Sequence, residues 1–156
     1  MNTENRSNIK IIVKNKRAHF DYFLTEKIEV GIVLVGTEVK SLRAGKAMIA
    51  DAFVQIDSRG ELWIYNMTIP HYEFGNLFNH QENRRRKLLA SKEEIKKLSF
   101  EMKVKHLSLI PVTLYFKDSK VKIEIALAKG KKLYDKRETL AERDINRKIH
   151  QKNFDE

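Results

Sequence analysis

A period of two runs through this chain. Val121, Ile123, Ile125 and Leu127 alternate with Lys122, Glu124 and Ala126. Successive side chains of a β-strand point to opposite faces, so this segment fits a sheet with one packed and one wet face. Leu107 to Phe116 precedes it across Lys117-Asp118-Ser119-Lys120, which reads as the turn of a hairpin. A further hairpin is expected from Ala52-Phe53-Val54-Gln55-Ile56 and Glu61-Leu62-Trp63-Ile64-Tyr65, joined by Asp57-Ser58-Arg59-Gly60, where Gly60 can take positive φ. From Phe20 the alternation continues through Tyr22 and Leu24, breaks at Glu26, and resumes at Ile28, Val30, Ile32 and Leu34. This predicts one long bent strand. The alternative for its start is a short helix over Lys16 to Phe23, because Ala18, Tyr22 and Phe23 can share a helical face.

Helix signals interrupt the strands twice. Thr37 is expected to cap a helix Glu38-Val39-Lys40-Ser41-Leu42-Arg43 that ends at Gly45, with Val39 and Leu42 on one face. Ser91-Lys92-Glu93-Glu94 matches the reciprocal serine–glutamate cap, and Ile95, Leu98 and Met102 then recur at helical spacing. Five or six antiparallel strands with short helices suit a small OB-fold-like closed antiparallel β-barrel better than a sandwich, because closure removes exposed edges. At 156 residues, 42% of them hydrophobic, the chain can bury one core of ordinary size. The expected organisation is a flexible N-terminus over 1–8, an OB-like barrel over 9–130 and a flexible, basic C-terminal tail over 131–156.

Charge narrows the function classes. With 31 Lys and Arg against 21 Asp and Glu, the net charge is +10, and cations that neutralise phosphates release counterions and so favour nucleic acid. Residues 131–156 hold eight basic and six acidic residues, so most of the excess belongs to the body. Cysteine is absent, which excludes disulfides and thiolate zinc sites. The polar start, Met1 to Asn8, does not read as a secretory signal, and no run of eighteen apolar residues predicts a membrane span. A cytoplasmic protein without membrane contact is expected. His19, His71, His80, His106 and His150 are scattered without metal-ligand spacing, and no phosphate-cradling loop or nucleophile elbow is present. Glu93 and Glu94 sit on a first helical turn, where the macrodipole accounts for them. A binding protein that is not an enzyme, with neither metal nor cofactor, is the resulting expectation.

Five segments then resemble one family in order and spacing. Asn15-Lys16-Arg17-Ala18, Glu29-Val30-Gly31-Ile32, Gly36-Thr37-Glu38-Val39-Lys40-Ser41-Leu42-Arg43-Ala44-Gly45-Lys46, Arg86-Lys87-Leu88-Leu89 and Ala128-Lys129-Gly130-Lys131-Lys132-Leu133-Tyr134-Asp135-Lys136-Arg137 are similar to the signature blocks of SmpB, the bacterial SsrA-binding proteins. The resemblance spans residues 9–143. It implies an OB-type barrel that binds the tRNA-like domain of transfer-messenger RNA. It further implies delivery of that RNA with elongation factor Tu to stalled ribosomes, where trans-translation tags the nascent chain.

Carried over by position, the resemblance implies RNA contacts at Asn15, Glu29 and Leu89. Strand parity puts Glu29 opposite the core row of Ile28, Val30 and Ile32, and an outward carboxylate can accept from base amino groups where lysines only attract. Lys16, Arg17, Lys40, Arg43, Arg86 and Lys87 are further expected RNA contacts, with Glu38 orienting Lys40 and Arg43. The run Arg84-Arg85-Arg86-Lys87, after the polar stretch Asn76 to Asn83, is read as phosphate-tracking. Ser91 stands where some relatives carry asparagine, and it also reads as a cap.

For the tail, the resemblance implies contact with the small-subunit decoding centre and the empty mRNA path through Lys129, Lys131, Lys132, Tyr134, Asp135, Lys136 and Arg137. Tyr134, histidine in some relatives, can stack on a base. Leu140, Asp144 with Ile145, and Ile149 allow a helical stripe that folds only inside such a groove and is disordered in isolation. The competing reading is a general OB-fold single-stranded nucleic-acid binder. It requires Phe53, Trp63, Tyr65 and Tyr115 all to point outward.

Overall fold

The computed structural model describes residues 8–75 and 79–131. Seven strands and three helices follow one another as β1 (Ile9–Lys14), α1 (Ala18–Asp21), β2 (Tyr22–Ile32), α2 (Gly36–Arg43), β3 (Phe53–Ile56), β4 (Leu62–Tyr65), β5 (Arg86–Leu89), α3 (Lys92–Lys105), β6 (Ser108–Lys117) and β7 (Lys120–Gly130). They form one sheet in the order β1-β6-β3-β4-β5-β2-β7, and β7 pairs back onto β6, so six strands make a ring with β1 added alongside β6. All the strand pairs are antiparallel. The ring is zipped along β2, β7 and β6 but joins β3 to β6 only where Val54 faces Leu109.

Both expected hairpins form. Gly60 takes φ 77° in the β3–β4 turn, where the Asp57 carboxylate accepts the Arg59 and Glu61 N–H groups at 3.0 and 2.9 Å. In the β6–β7 turn Asp118 adopts φ 57°, a left-handed conformation that Asp tolerates better than most residues, and its carboxylate accepts the Asn8 N–H at 3.1 Å. The break at Glu26 is a bulge: its φ is 41°, and the register to β7 shifts between Thr25 and Lys27. The extra residue reverses the parity: Leu24, opposite Ala128, packs on one face of the strand, while Ile28 and Val30, opposite Ile125 and Ile123, pack into the core on the other. Phe20 is not in that strand. It lies in the four-residue α1, which replaces the expected strand start.

Ala126 and Ala128 correct the expectation of one wet face on β7. Both are buried, and Ala128 packs with Ala18 of α1, Ile110, Tyr22 and Leu24 in a small outer cluster. The main core fills the ring with Val30, Leu62, Ile64, Leu88, Leu109, Leu114, Ile123 and Ile125, and Leu42 of α2 and Leu98 of α3 pack against it. Each such side chain contributes roughly 1.5–3 kcal/mol of transfer free energy.

Two helix caps were expected, and one forms as predicted. In α2 the cap position is Val35 rather than Thr37, and the Glu38 carboxylate reaches back to accept the Val35 N–H at 2.9 Å. In α3, Ser91 Oγ accepts the Glu94 N–H at 3.1 Å while Glu94 accepts the Ser91 N–H. Ser91→Ala is therefore expected to lower unfolding stability by about 1 kcal/mol, read as a lower denaturant midpoint at unchanged slope. An unchanged midpoint would remove the cap from the account.

Candidate nucleic-acid interface

Register places side chains from five strands in rows on one outer face. Leu89, Gly31, Lys122, Tyr115 and Ile11 oppose one another in turn across β5, β2, β7, β6 and β1. The neighbouring row is Glu29, Glu124, Thr113 and Lys14. Their sequence neighbours Val30, Ile123 and Leu114 occupy the core, so the pleat turns these residues outward. Leu89 is 52% exposed. Gly31 lets it lie close, since a Cβ there would stand 3.3 Å from the Leu89 Cβ.

Glu29 sits at the centre of this face. Its carboxylate accepts the Tyr115 hydroxyl and, at 3.2 Å, the Lys117 ammonium. The Tyr115 bond holds the carboxyl below its usual range against the opposing effect of burial, and Lys117 and Lys122 add to the lowering. Burial and the bond to Glu29 push the Tyr115 phenol up. At neutral pH the pair is therefore a carboxylate and a neutral phenol. A carboxylate offers more acceptor sites than Tyr115 and Lys117 fill, which leaves capacity for a base amino group. The aromatic at 115, which sequence reasoning placed only in the competing reading, is what orients Glu29. Its signal was strand parity with Lys117 across one intervening residue.

A second constellation is buried. Glu38, Arg84 and Arg86 were expected at the surface, with Arg86 on RNA and Glu38 orienting Lys40 and Arg43. Instead Glu38 and Arg86 have no exposed side-chain surface. Glu38 accepts from Arg84 and from Arg86 Nε. The rest of the Arg86 guanidinium donates to the carbonyls of Met67 (2.7 Å), Arg84 (3.0 Å), Glu82 (3.0 Å) and Gln81 (3.4 Å). Its donors are spent inside the protein, which leaves none for phosphate. The sequence run looked like a loop because four consecutive cations conceal a strand start with inward and outward positions.

The remaining expected contacts fall in different places. Asn15 is buried; its Nδ2 donates to the Pro111 carbonyl at 3.0 Å and its Oδ1 has no protein partner. It lines a cleft of ≈ 560 Å³ together with Arg17, Asp51, Gln55 and Ser108, at the sparsely joined β3–β6 seam. Lys16 is exposed, and Arg17 pairs with Asp21 at 3.6 Å. On α2, Lys40 and Arg43 are exposed, with Lys40 over the Tyr72 ring at 5.5 Å. Lys87 pairs with Glu61 at 3.4 Å. Phe53, Trp63 and Tyr65 point outward from β3 and β4, whereas Tyr115 is 7% exposed, so the four aromatics do not share one exposed face. Lys129 is exposed. Lys131 lies over the Phe23 ring at 5.0 Å and donates from Nζ to the His19 carbonyl at 3.0 Å. Lys132, Tyr134, Asp135, Lys136 and Arg137 lie outside the described residues. Among the described residues no cluster of His, Asp or Glu is placed to hold a metal, and no helix is long and apolar enough to cross a membrane.

Comparison with known proteins adds independent findings. The model of the SmpB protein family matches residues 12–155. The SsrA-binding protein of Carboxydothermus hydrogenoformans is 54% identical over 140 residues, covering 90% of this chain and 93% of that protein. That of Desulforudis audaxviator is 53% identical, covering 90% and 91%. A solved structure described as "tmRNA-SmpB: a journey to the center of the bacterial ribosome" superimposes with a TM-score of 0.65 at 42% identity, covering 78% of this chain and 85% of that one.

The buried carboxylate makes an acid-stability prediction. Burial pushes Glu38 up, but hydrogen bonds from Arg84, the Val35 N–H and Arg86 outweigh it, so its folded value lies below 4.5. A depressed folded value means the stabilisation is complete above 4.5 and is lost as pH falls through the lowered value. Glu38→Gln is expected to flatten the acid limb of the stability–pH curve and to cost about 3–5 kcal/mol at pH 7, because two guanidiniums lose their counter-charge. A variant as stable as the parent at pH 7 would contradict the network's role.

Proposed function

The chain belongs to the SmpB protein family, and on that premise we propose that it binds the tRNA-like domain of transfer-messenger RNA and brings it to stalled ribosomes for trans-translation. The carrying observation is the outer face on which Glu29 is held ionised by Tyr115 and Lys117, with Lys122 beside it and Leu89 exposed one row away. Cations supply attraction to phosphate there, the carboxylate discriminates by accepting from bases, and Leu89 offers apolar contact to an unstacked ring.

The ring of strands acts as an OB-type barrel, with residues 9–130 gripping the RNA. Residues 131–156 enter the mRNA path of the small subunit, where Lys132, Tyr134, Asp135, Lys136 and Arg137 meet the decoding centre. Elongation factor Tu travels in the same delivery complex. The work is binding and positioning in the cytoplasm, without a reaction catalysed by this chain. Lys16, Arg17, Lys40 and Arg43 are exposed and serve as phosphate contacts. Arg86 acts from the interior by holding the start of β5, and Asn15 Oδ1 is an acceptor available within its cleft. A general single-strand binder is the weaker reading, because Tyr115 is committed to Glu29 rather than to an open aromatic face.

In gel-shift titrations the purified protein is expected to shift transfer-messenger RNA at concentrations well below those needed for unrelated RNA of tRNA size. Glu29→Ala should weaken that binding by about tenfold or more, the scale of a lost base contact. Equal affinity for all such RNAs would reduce the proposal to charge attraction. A chain ended after Gly130 is expected to keep RNA binding and to lose peptide tagging on stalled ribosomes. Loss of both activities together would refute the division between body and tail.

A further inference from the structure

The side of the ring away from Glu29 carries a different chemistry. Across β3 and β4, Phe53 faces Tyr65 and Gln55 faces Trp63, and Trp63 in turn faces Lys87 of β5. Their neighbours Val54, Leu62, Ile64 and Leu88 fill the core, so the pleat forces the rings outward. The Phe53 and Tyr65 rings stack at 5.4 Å with 13° between planes. Trp63 is pinned at its edge, where Nε1 donates to Asp57 Oδ2 at 3.0 Å, and the Arg85 guanidinium lies 4.1 Å over its ring. Arg84 and Arg86 are turned to Glu38, but Arg85 is exposed.

We propose that Arg85 on Trp63, with the Phe53–Tyr65 pair beside it, is a second RNA-contact surface, on which unpaired bases stack. A guanidinium resting on an indole is held with one planar face toward solvent, and bases stack on such planes as they do on aromatic rings. Every base has a π-face, so this surface is tolerant of sequence, in contrast to the Glu29 face. A purely apolar protein partner fits less well: covering the surface would strip water from Arg85 without supplying an anion, whereas a nucleotide brings both a ring and a phosphate. Lys87, opposite Trp63 on β5, borders the rings and can meet that phosphate. The inference goes beyond transfer-messenger RNA recognition by the Glu29 face and stands or falls separately from it.

The chain contains a single tryptophan, so its fluorescence reports on this surface alone. Titrating the full-length protein with unstructured oligouridylate and oligoadenylate at low salt is expected to quench Trp63 saturably. Arg85→Ala should weaken the apparent affinity about tenfold, and Arg85→Lys, which keeps the charge but not the plane, should weaken it nearly as much. Glu29→Ala should leave the quench intact while reducing binding of transfer-messenger RNA. Three results would overturn the proposal: no quench, a quench that Arg85→Lys leaves unchanged, or a quench that disappears in Glu29→Ala. A concentration-dependent change in Trp63 emission without RNA would instead give the surface to a second copy of the chain, and would overturn it too.

Discussion

Glu38 is withdrawn from water together with Arg86, and neither tolerates that position alone. An isolated buried charge costs several kcal/mol, so the carboxylate is kept only because two guanidiniums and the Val35 N–H surround it. The network joins α2, the carbonyls of residues 67, 81, 82 and 84, and the start of β5 into one unit. It thereby sets the parity of β5. With Arg86 and Leu88 inward, Arg85, Lys87 and Leu89 must point out. Leu89 then joins the Glu29 face, and Arg85 reaches Trp63.

Two outer surfaces of unlike character follow from one pleated ring. On the β2–β7–β6 side, Glu29, Tyr115, Lys117 and Lys122 form a polar face whose carboxylate stays ionised because its partners donate to it. On the β3–β4 side the rings are stacked and one is covered by a cation. The first arrangement presents directional hydrogen-bond acceptors, and the second presents flat ring faces. The ring is zipped tightly along β2, β7 and β6 and sparsely between β3 and β6, so the polar face has the firmer backbone support.

Lys131 marks where the described body ends, and it is tied down. Its N–H donates to the Asp21 carbonyl at 2.9 Å and its ammonium to the His19 carbonyl, so α1 holds the last described residue. That gives the four-residue α1 two tasks: Ala18 covers Ala128 of β7, and the carbonyls of His19 and Asp21 hold Lys131.

Alternation in Val121 to Leu127, the Asp57–Gly60 turn and the serine–glutamate cap at Ser91 were legible without coordinates, because each depends on a few neighbouring residues. So was the outward direction of Glu29, and even the bulge at Glu26 showed as a break in period. Missed were β1, the strand hidden in Arg86 to Leu89, and the burial of Glu38 and Arg86. A charged side chain is read as exposed unless its counter-charge is visible, and Arg86 lies 48 residues from Glu38. Local pattern therefore determined the strands, turns and family signature of this chain. Only the closed ring decided which cations face water and which serve the interior, because that depends on long-range partners meeting where solvent is excluded.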